Sequence, residues 1–82
     1  MERDGLFIFH SVHKVMKAEK ALKRAGLDVR LMPVPRQLSS QCGLAILFFL
    51  RDREEATIAL EAEGCPFVEL YALEEGHYRR VE

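Results

Sequence analysis

The residues most capable of chemistry lie mid-chain, where Cys42 closes a proline- and serine-rich stretch over residues 33–42 and Gly43 follows it. The immediate neighbours of Cys42 are small or polar, whereas a cysteine packed in a core usually has apolar neighbours. A reactive thiol needs solvent access, room for a partner and a nearby positive charge that stabilises the thiolate. Arg36 supplies that charge if the loop folds back. We therefore take Cys42 as the candidate reactive group; the alternative is a partly buried thiol that caps a turn.

Several other side chains are candidates for a role in the chemistry of the Cys42 thiol. Ser39 and Ser40 can shape the turn or donate hydrogen bonds to the thiolate. His10 and His13 lie near the predicted start of the first helix, where a histidine is more often solvated or capping than catalytic. Cys65 is expected to have no chemical role. The alternative is that it acts as a resolving cysteine, which forms a disulfide with Cys42. The spacing of these histidines and cysteines matches no standard zinc pattern, and no phosphate loop or dinucleotide turn is present, so we predict neither metal nor cofactor.

The composition limits the class of protein. The chain has 82 residues, 49% of them hydrophobic and 30% charged, which is typical of one small globular domain. The formal net charge of −1 leaves no broad basic surface, so nucleic acid is not expected as a partner. No apolar run approaches the length of a membrane span, and the first residues do not open a signal peptide. Two cysteines without a disulfide-dense pattern favour the reduced cytoplasm.

Apolar periodicity and turn residues predict six elements in the order βαββαβ within a single domain, 1–82. The predicted strands cover residues 6–9, 29–32, 44–50 and 67–73. One helix is expected from a Ser11 cap to about residue 25. The second is expected from a capping box formed by Asp52 and Glu55 to about residue 63. The ordered core then spans about 5–73, and the charged tail 74–82 is expected to be loose.

This order predicts an α+β, ferredoxin-like sandwich with an antiparallel sheet ordered 4-1-3-2 and both helices on one face. Strands 1 and 3 are apolar on both faces and should be central. Strands 2 and 4 carry Arg30 and Glu69, which suits edge strands. The face without helices would present Phe or Leu side chains from strands 1 and 3. Such a patch usually marks an interface, so a homodimer through the open face or an edge is possible.

The same topology brings the candidate residues to one end of the sheet. Strand 1 ends there beside His10, Ser11 and His13, and the loop over residues 33–43 leaves from the same end. Cys65 also lies at this end, about 10 Å from Cys42 at two strand spacings. The N-terminus of the first helix would favour a nearby anion such as a thiolate or persulfide.

With those residues in view, the chain resembles the selenium/sulfur carrier protein-like family from about residue 6 to residue 73. The residues that carry the resemblance are Ser11, Ala18, Glu19, Leu22, Gly26, Leu31, Pro33, Pro35, Arg36, Ser39, Ser40, Cys42, Gly43 and Leu44. The resemblance implies that Cys42 carries sulfur or selenium as a persulfide or selenosulfide. A donor enzyme such as a cysteine desulfurase is the implied partner. Cys65 and the tail from residue 74 lie outside the pattern.

Three hypotheses follow. The first is a small cytoplasmic carrier, more a carrier than an enzyme, with Cys42 as acceptor, Arg36 lowering its pKa, and Gly43 leaving space for the added atom. The second is a non-enzymatic ligand-binding or regulatory module that dimerises through its sheet, with Arg36 and loop amides binding an anion. The third is a thiol-redox protein that uses Cys42 and Cys65.

Overall fold

The computed structural model describes residues 2–38 and 43–82. Its elements follow the chain in one order, with a 3-10 turn before the second helix. They are β1 (Gly5–Ile8), α1 (Val12–Arg24), β2 (Arg30–Pro33), β3 (Leu44–Phe48), the 3-10 turn (Leu50–Asp52), α2 (Arg53–Ala62), β4 (Glu69–Glu74) and β5 (His77–Arg80). The fold is α+β, as predicted. Within the described ranges, no helix is both long and apolar enough to cross a membrane.

The two helices begin in different ways. Ser11 has extended backbone angles, and its hydroxyl oxygen accepts a hydrogen bond from the Lys14 amide at 3.2 Å, which confirms the predicted cap of α1. The predicted capping box of α2 was wrong, because the Asp52 side chain makes no capping hydrogen bond. Asp52 already belongs to the 3-10 turn and has φ −96° and ψ 8°, not the extended angles that aim a capping side chain at the helix.

The antiparallel sheet in the described part of the chain has five strands in the order β2-β3-β1-β4-β5. The predicted four-stranded order 4-1-3-2 was therefore wrong as a description of the whole sheet. β1 does lie between β3 and β4, and β2 does pair with β3. The added strand lies beside β4, so β4 is not an edge. The charge of Glu69 is tolerated inside the sheet because its carboxylate accepts a hydrogen bond from the Tyr71 hydroxyl at 3.0 Å. The carboxylate also forms an ion pair with Arg80 at 3.4 Å.

β5 comes from the tail that was expected to be loose. Glu75 and Gly76 have φ of 50° and 82°, and two consecutive residues of positive φ form the tight turn that matches the twist of a hairpin. Arg79 then donates two hydrogen bonds to the Glu74 carboxylate, at 2.8 and 3.0 Å. The Leu70 amide also donates to the Glu82 carbonyl at 2.9 Å, so the chain is tied to β4 up to its last residue.

The core has two parts, one on each face of the sheet. On the helical face, Phe7 is fully buried and stacks on Phe48, with ring centroids 4.0 Å apart and planes 6° apart. On the other face, a smaller buried cluster is partly covered by half-buried side chains. That cluster is Leu6, Ile8 and Ala45, and its cover is Met32, Val34, Leu38, Leu47, Tyr71 and Tyr78. The open face thus carries aliphatic and tyrosine side chains, and a dimer through it stays a prediction.

Candidate functional site

The candidate thiol lies in the connection between β2 and β3. Cys42, Ser39 and Ser40 fall outside the described residues, but both ends of the connection are described. The Val34 amide donates to the Gly43 carbonyl at 3.1 Å, one step beyond the last paired residues of β2 and β3. The connection therefore leaves the sheet after Val34 and rejoins it at Gly43.

Gly43 has φ +81°, a backbone conformation that side-chain-bearing residues rarely adopt. A Cβ added at Gly43 would meet no described atom within 4 Å. In the described surroundings, therefore, glycine is required for its backbone angle and not for local space. Whether it also leaves room for an atom on Cys42 stays a prediction.

Gly26 offers a matched control for Gly43. It ends α1 with φ +83°, and a Cβ there would also meet no described atom within 4 Å. Gly43→Ala and Gly26→Ala should each lower the free energy of unfolding by about 1 kcal/mol, because both force alanine into the left-handed region. Only Gly43→Ala should change the alkylation rate of Cys42. Urea unfolding and timed alkylation measure the two effects, and equal alkylation rates in both variants would remove Gly43 from the site.

Residues 34–38, the described part of the loop that follows β2, lie against the open face of the sheet. Val34 and Leu38 pack on the cluster that contains Ile8, and a turn is closed by the hydrogen bond from the Leu38 amide to the Pro35 carbonyl at 3.0 Å. α1 lies on the opposite face, since its Val15 belongs to the helix-side core. This part of the loop therefore leans away from α1, and assistance to the thiolate from the start of α1 stays a prediction.

The remaining candidates occupy the surface of the same end of the sheet. His10 and His13 are both exposed, and so is Arg36, which makes no ion pair with any described carboxylate. The Val68 amide donates to the Ile8 carbonyl at 2.7 Å, which brings the chain before β4 to the end of β1. In the described ranges, no group of three or more histidine, cysteine, aspartate or glutamate side chains is placed to hold a metal ion.

Cys65 has a different environment from the one its flanking glycine and proline suggest. Its side chain has 0% relative exposure and belongs to the helix-side core. Its amide donates to the Leu60 carbonyl at 3.0 Å, which closes the end of α2 and turns the side chain inward. Burial raises the pKa of the Cys65 thiol, and the positive charges of Lys17 and Lys14 offset this only in part. A disulfide through Cys65 would therefore first require the core to open.

The comparisons with known proteins show the family to which the chain belongs. The family described as "Putative Se/S carrier protein-like" matches residues 4–72, and the chain belongs to it. The chain is also similar to a protein of Escherichia coli (strain K12) described as "Uncharacterized protein YtiA", with 43% identity over 44 residues. The matched segment is 54% of this chain and 52% of that relative, so the chain spans about half the length of the curated relative. No solved structure matches.

Proposed function

We propose that this chain is a carrier that holds sulfur or selenium on Cys42 as a persulfide or selenosulfide. The burial of Cys65 is the observation that carries the proposal. A carrier needs a thiol that a donor can reach, and the sequence contains two cysteines. Cys65 is fully buried with a raised pKa, so the carrier role falls to Cys42. Family membership over residues 4–72, a range that includes Cys42, supports the same conclusion.

The transfer itself is a thiol–persulfide exchange. The Cys42 thiolate attacks the outer sulfur of a donor persulfide, the donor's S–S bond breaks, and its electron pair leaves on the donor thiolate. The outer sulfur keeps its proton and moves to Cys42, so no external oxidant or reductant is required. Arg36 would stabilise the attacking thiolate, and Ser39, Ser40 and Gly43 would shape the loop. A reduced compartment, the cytoplasm, suits a thiol that must stay free.

Loading by a cysteine desulfurase tests this function. The chain is incubated with the enzyme and cysteine, or selenocysteine in a parallel sample, and its intact mass is recorded. We expect one added sulfur or selenium atom per chain in the parent and in Cys65→Ala, and none in Cys42→Ser. Equal uptake by Cys42→Ser and the parent, or no uptake by the parent from either this enzyme or glutathione persulfide, would contradict the proposal.

A second experiment tests whether Arg36 stabilises the Cys42 thiolate. Arg36→Gln should slow alkylation of Cys42 near neutral pH by less than tenfold, because water screens an exposed pair and a pKa change of one unit corresponds to about 1.4 kcal/mol. Its melting temperature should stay close to that of the parent. A lower melting temperature with faster alkylation would instead assign Arg36 to holding the turn closed.

A further inference from the structure

The charges on the two helices are segregated. α1 carries a single acidic residue, Glu19, and a series of basic ones, all exposed: Lys14, Lys17, Lys20, Lys23 and Arg24. α2 carries three exposed acidic residues, Glu54, Glu55 and Glu61, and one partly exposed basic residue, Arg53, which pairs with Glu82. A chain whose net charge is −1 therefore presents a concentrated positive surface along one helix.

The basic residues of α1 differ in whether another group of the chain holds them. Lys14 donates to the Gly64 carbonyl at 3.2 Å, Lys23 pairs with Glu19 at 3.1 Å, and Arg24 pairs with Glu63 at 3.2 Å. Lys17 and Lys20 form no ion pair or hydrogen bond with described groups. Their ammonium groups are therefore available to an outside partner without breaking an existing contact.

Two exposed apolar side chains lie beside these free lysines. Val12 is 47% exposed and Met16 is 41% exposed, and they are one helical turn apart. Lys20 follows Met16 by another turn, and His13 and Lys17 lie alongside. We call Val12, His13, Met16, Lys17 and Lys20 the α1 patch. An apolar centre with a positive rim has the composition of a docking surface, in which the apolar contact gives affinity and the rim charges direct approach.

The position of the α1 patch relates it to the loop that carries Cys42. Ile8, the last residue of β1, pairs with Ala45, which in turn pairs with Met32 near the end of β2. The chain therefore enters α1 and leaves β2 for the loop at the same end of the sheet. Val12 and His13 form the first turn of α1, so the α1 patch begins at this end of the sheet, while residues 34–38 of the loop pack on the opposite face.

We propose that the α1 patch is the docking surface for the sulfur donor, a cysteine desulfurase that presents an acidic surface with an apolar centre. This rests on the proposed carrier function and adds its partner's contact surface. Opposite charges raise the rate of productive encounter and make it sensitive to salt. The exposed His13 contributes to this surface.

The test compares two donors. Loading of Cys42 is timed by intact mass with a cysteine desulfurase plus cysteine, and separately with glutathione persulfide, which needs no docking surface. The double variant Lys17→Glu/Lys20→Glu reverses the charge at the rim of the α1 patch. Adding Glu55→Lys/Glu61→Lys, two substitutions on α2, restores the net charge of the whole chain and leaves the charge of the patch reversed. Met16→Gln removes one of the two apolar side chains of the centre. Ile58→Gln is its control, because Ile58 is a 61% exposed apolar residue of α2 outside the patch.

We expect Lys17→Glu/Lys20→Glu to lower the enzymatic loading rate by about tenfold or more, with or without the compensating pair, since charge reversal acts mainly on association. Met16→Gln should slow enzymatic loading and Ile58→Gln should not. Loading from glutathione persulfide should be unchanged in every variant. Unchanged enzymatic rates in the patch variants would overturn the docking surface, as would a parent that loads only from glutathione persulfide. A parent that loads from neither donor would overturn the carrier function and, with it, this surface.

Discussion

Replacing Phe7 with alanine should lower the free energy of unfolding by about 3–5 kcal/mol, the range for truncating a buried aromatic side chain. Phe7 has 0% exposure, stacks on Phe48 at 4.0 Å and contacts the Phe67 ring at 4.9 Å. Its removal leaves a cavity between the sheet and the helices that these rings cannot readily fill. A small domain has only about 5–15 kcal/mol of total stability, so this one substitution should remove a large fraction of it.

Urea unfolding of matched variants measures this effect. Phe67→Ala is the control, because Phe67 is only half-buried against the same cluster and should cost less. Phe7→Leu keeps most of the apolar volume and provides a folded reference if Phe7→Ala does not fold. A loss for Phe7→Ala no greater than that for Phe67→Ala would contradict the central place of Phe7 in the core.

Cys65 should react with alkylating reagents at least about a thousandfold more slowly in the folded chain than in urea, because exposure of a core side chain requires an opening that costs several kcal/mol. The experiment uses Cys42→Ser, in which Cys65 is the remaining thiol, and timed addition of iodoacetamide. A folded-state rate within tenfold of the unfolded rate would contradict the burial of Cys65. It would also reopen the interpretation of the chain as a thiol-redox protein.

The same burial predicts a pH dependence of stability. Desolvation raises the pKa of Cys65 in the folded chain above its unfolded value. The resulting stability is fully present below the unfolded pKa and is lost as pH rises through the folded pKa. The unfolding free energy should therefore decline above about pH 8.5, the ordinary pKa of a free thiol. Cys65→Ala should remove this part of the decline, and an unchanged slope in that variant would refute it.

The sequence was informative where local pattern and tertiary context agree. The apolar runs of β1 and β3 predict central strands, and Ser11 predicts the start of α1 through its own hydroxyl. β5 was missed because its sequence, His-Tyr-Arg-Arg, lacks an apolar pattern. It becomes a strand through its pairing with β4 and through the contacts between Arg79 and Glu74. Such stabilisation from a neighbouring strand is not visible in the local sequence.

For the candidate site, too, the sequence predicted some features and missed others. Cys42 and Gly43 stand out from composition alone, and the positive φ of Gly43 agrees with the choice of glycine there. The burial of Cys65 could not be read from its glycine and proline neighbours, because it depends on how the chain turns at the end of α2. The exposed Val12 and Met16 were missed for a related reason. A helical period places them on the broad apolar face, and only the packed structure leaves them uncovered.

The most direct measurement of the central claim locates the transferred sulfur in the parent chain. The chain is loaded by a cysteine desulfurase with cysteine, separated from the enzyme, and divided between peptide mapping and treatment with cyanide, which removes sulfane sulfur as thiocyanate. The carrier function predicts the added sulfur on the peptide that contains Cys42, with about one thiocyanate released per loaded chain and a free Cys42 thiol afterwards. Sulfur found on Cys65 alone, or no cyanide-labile sulfur on the Cys42 peptide, would contradict it.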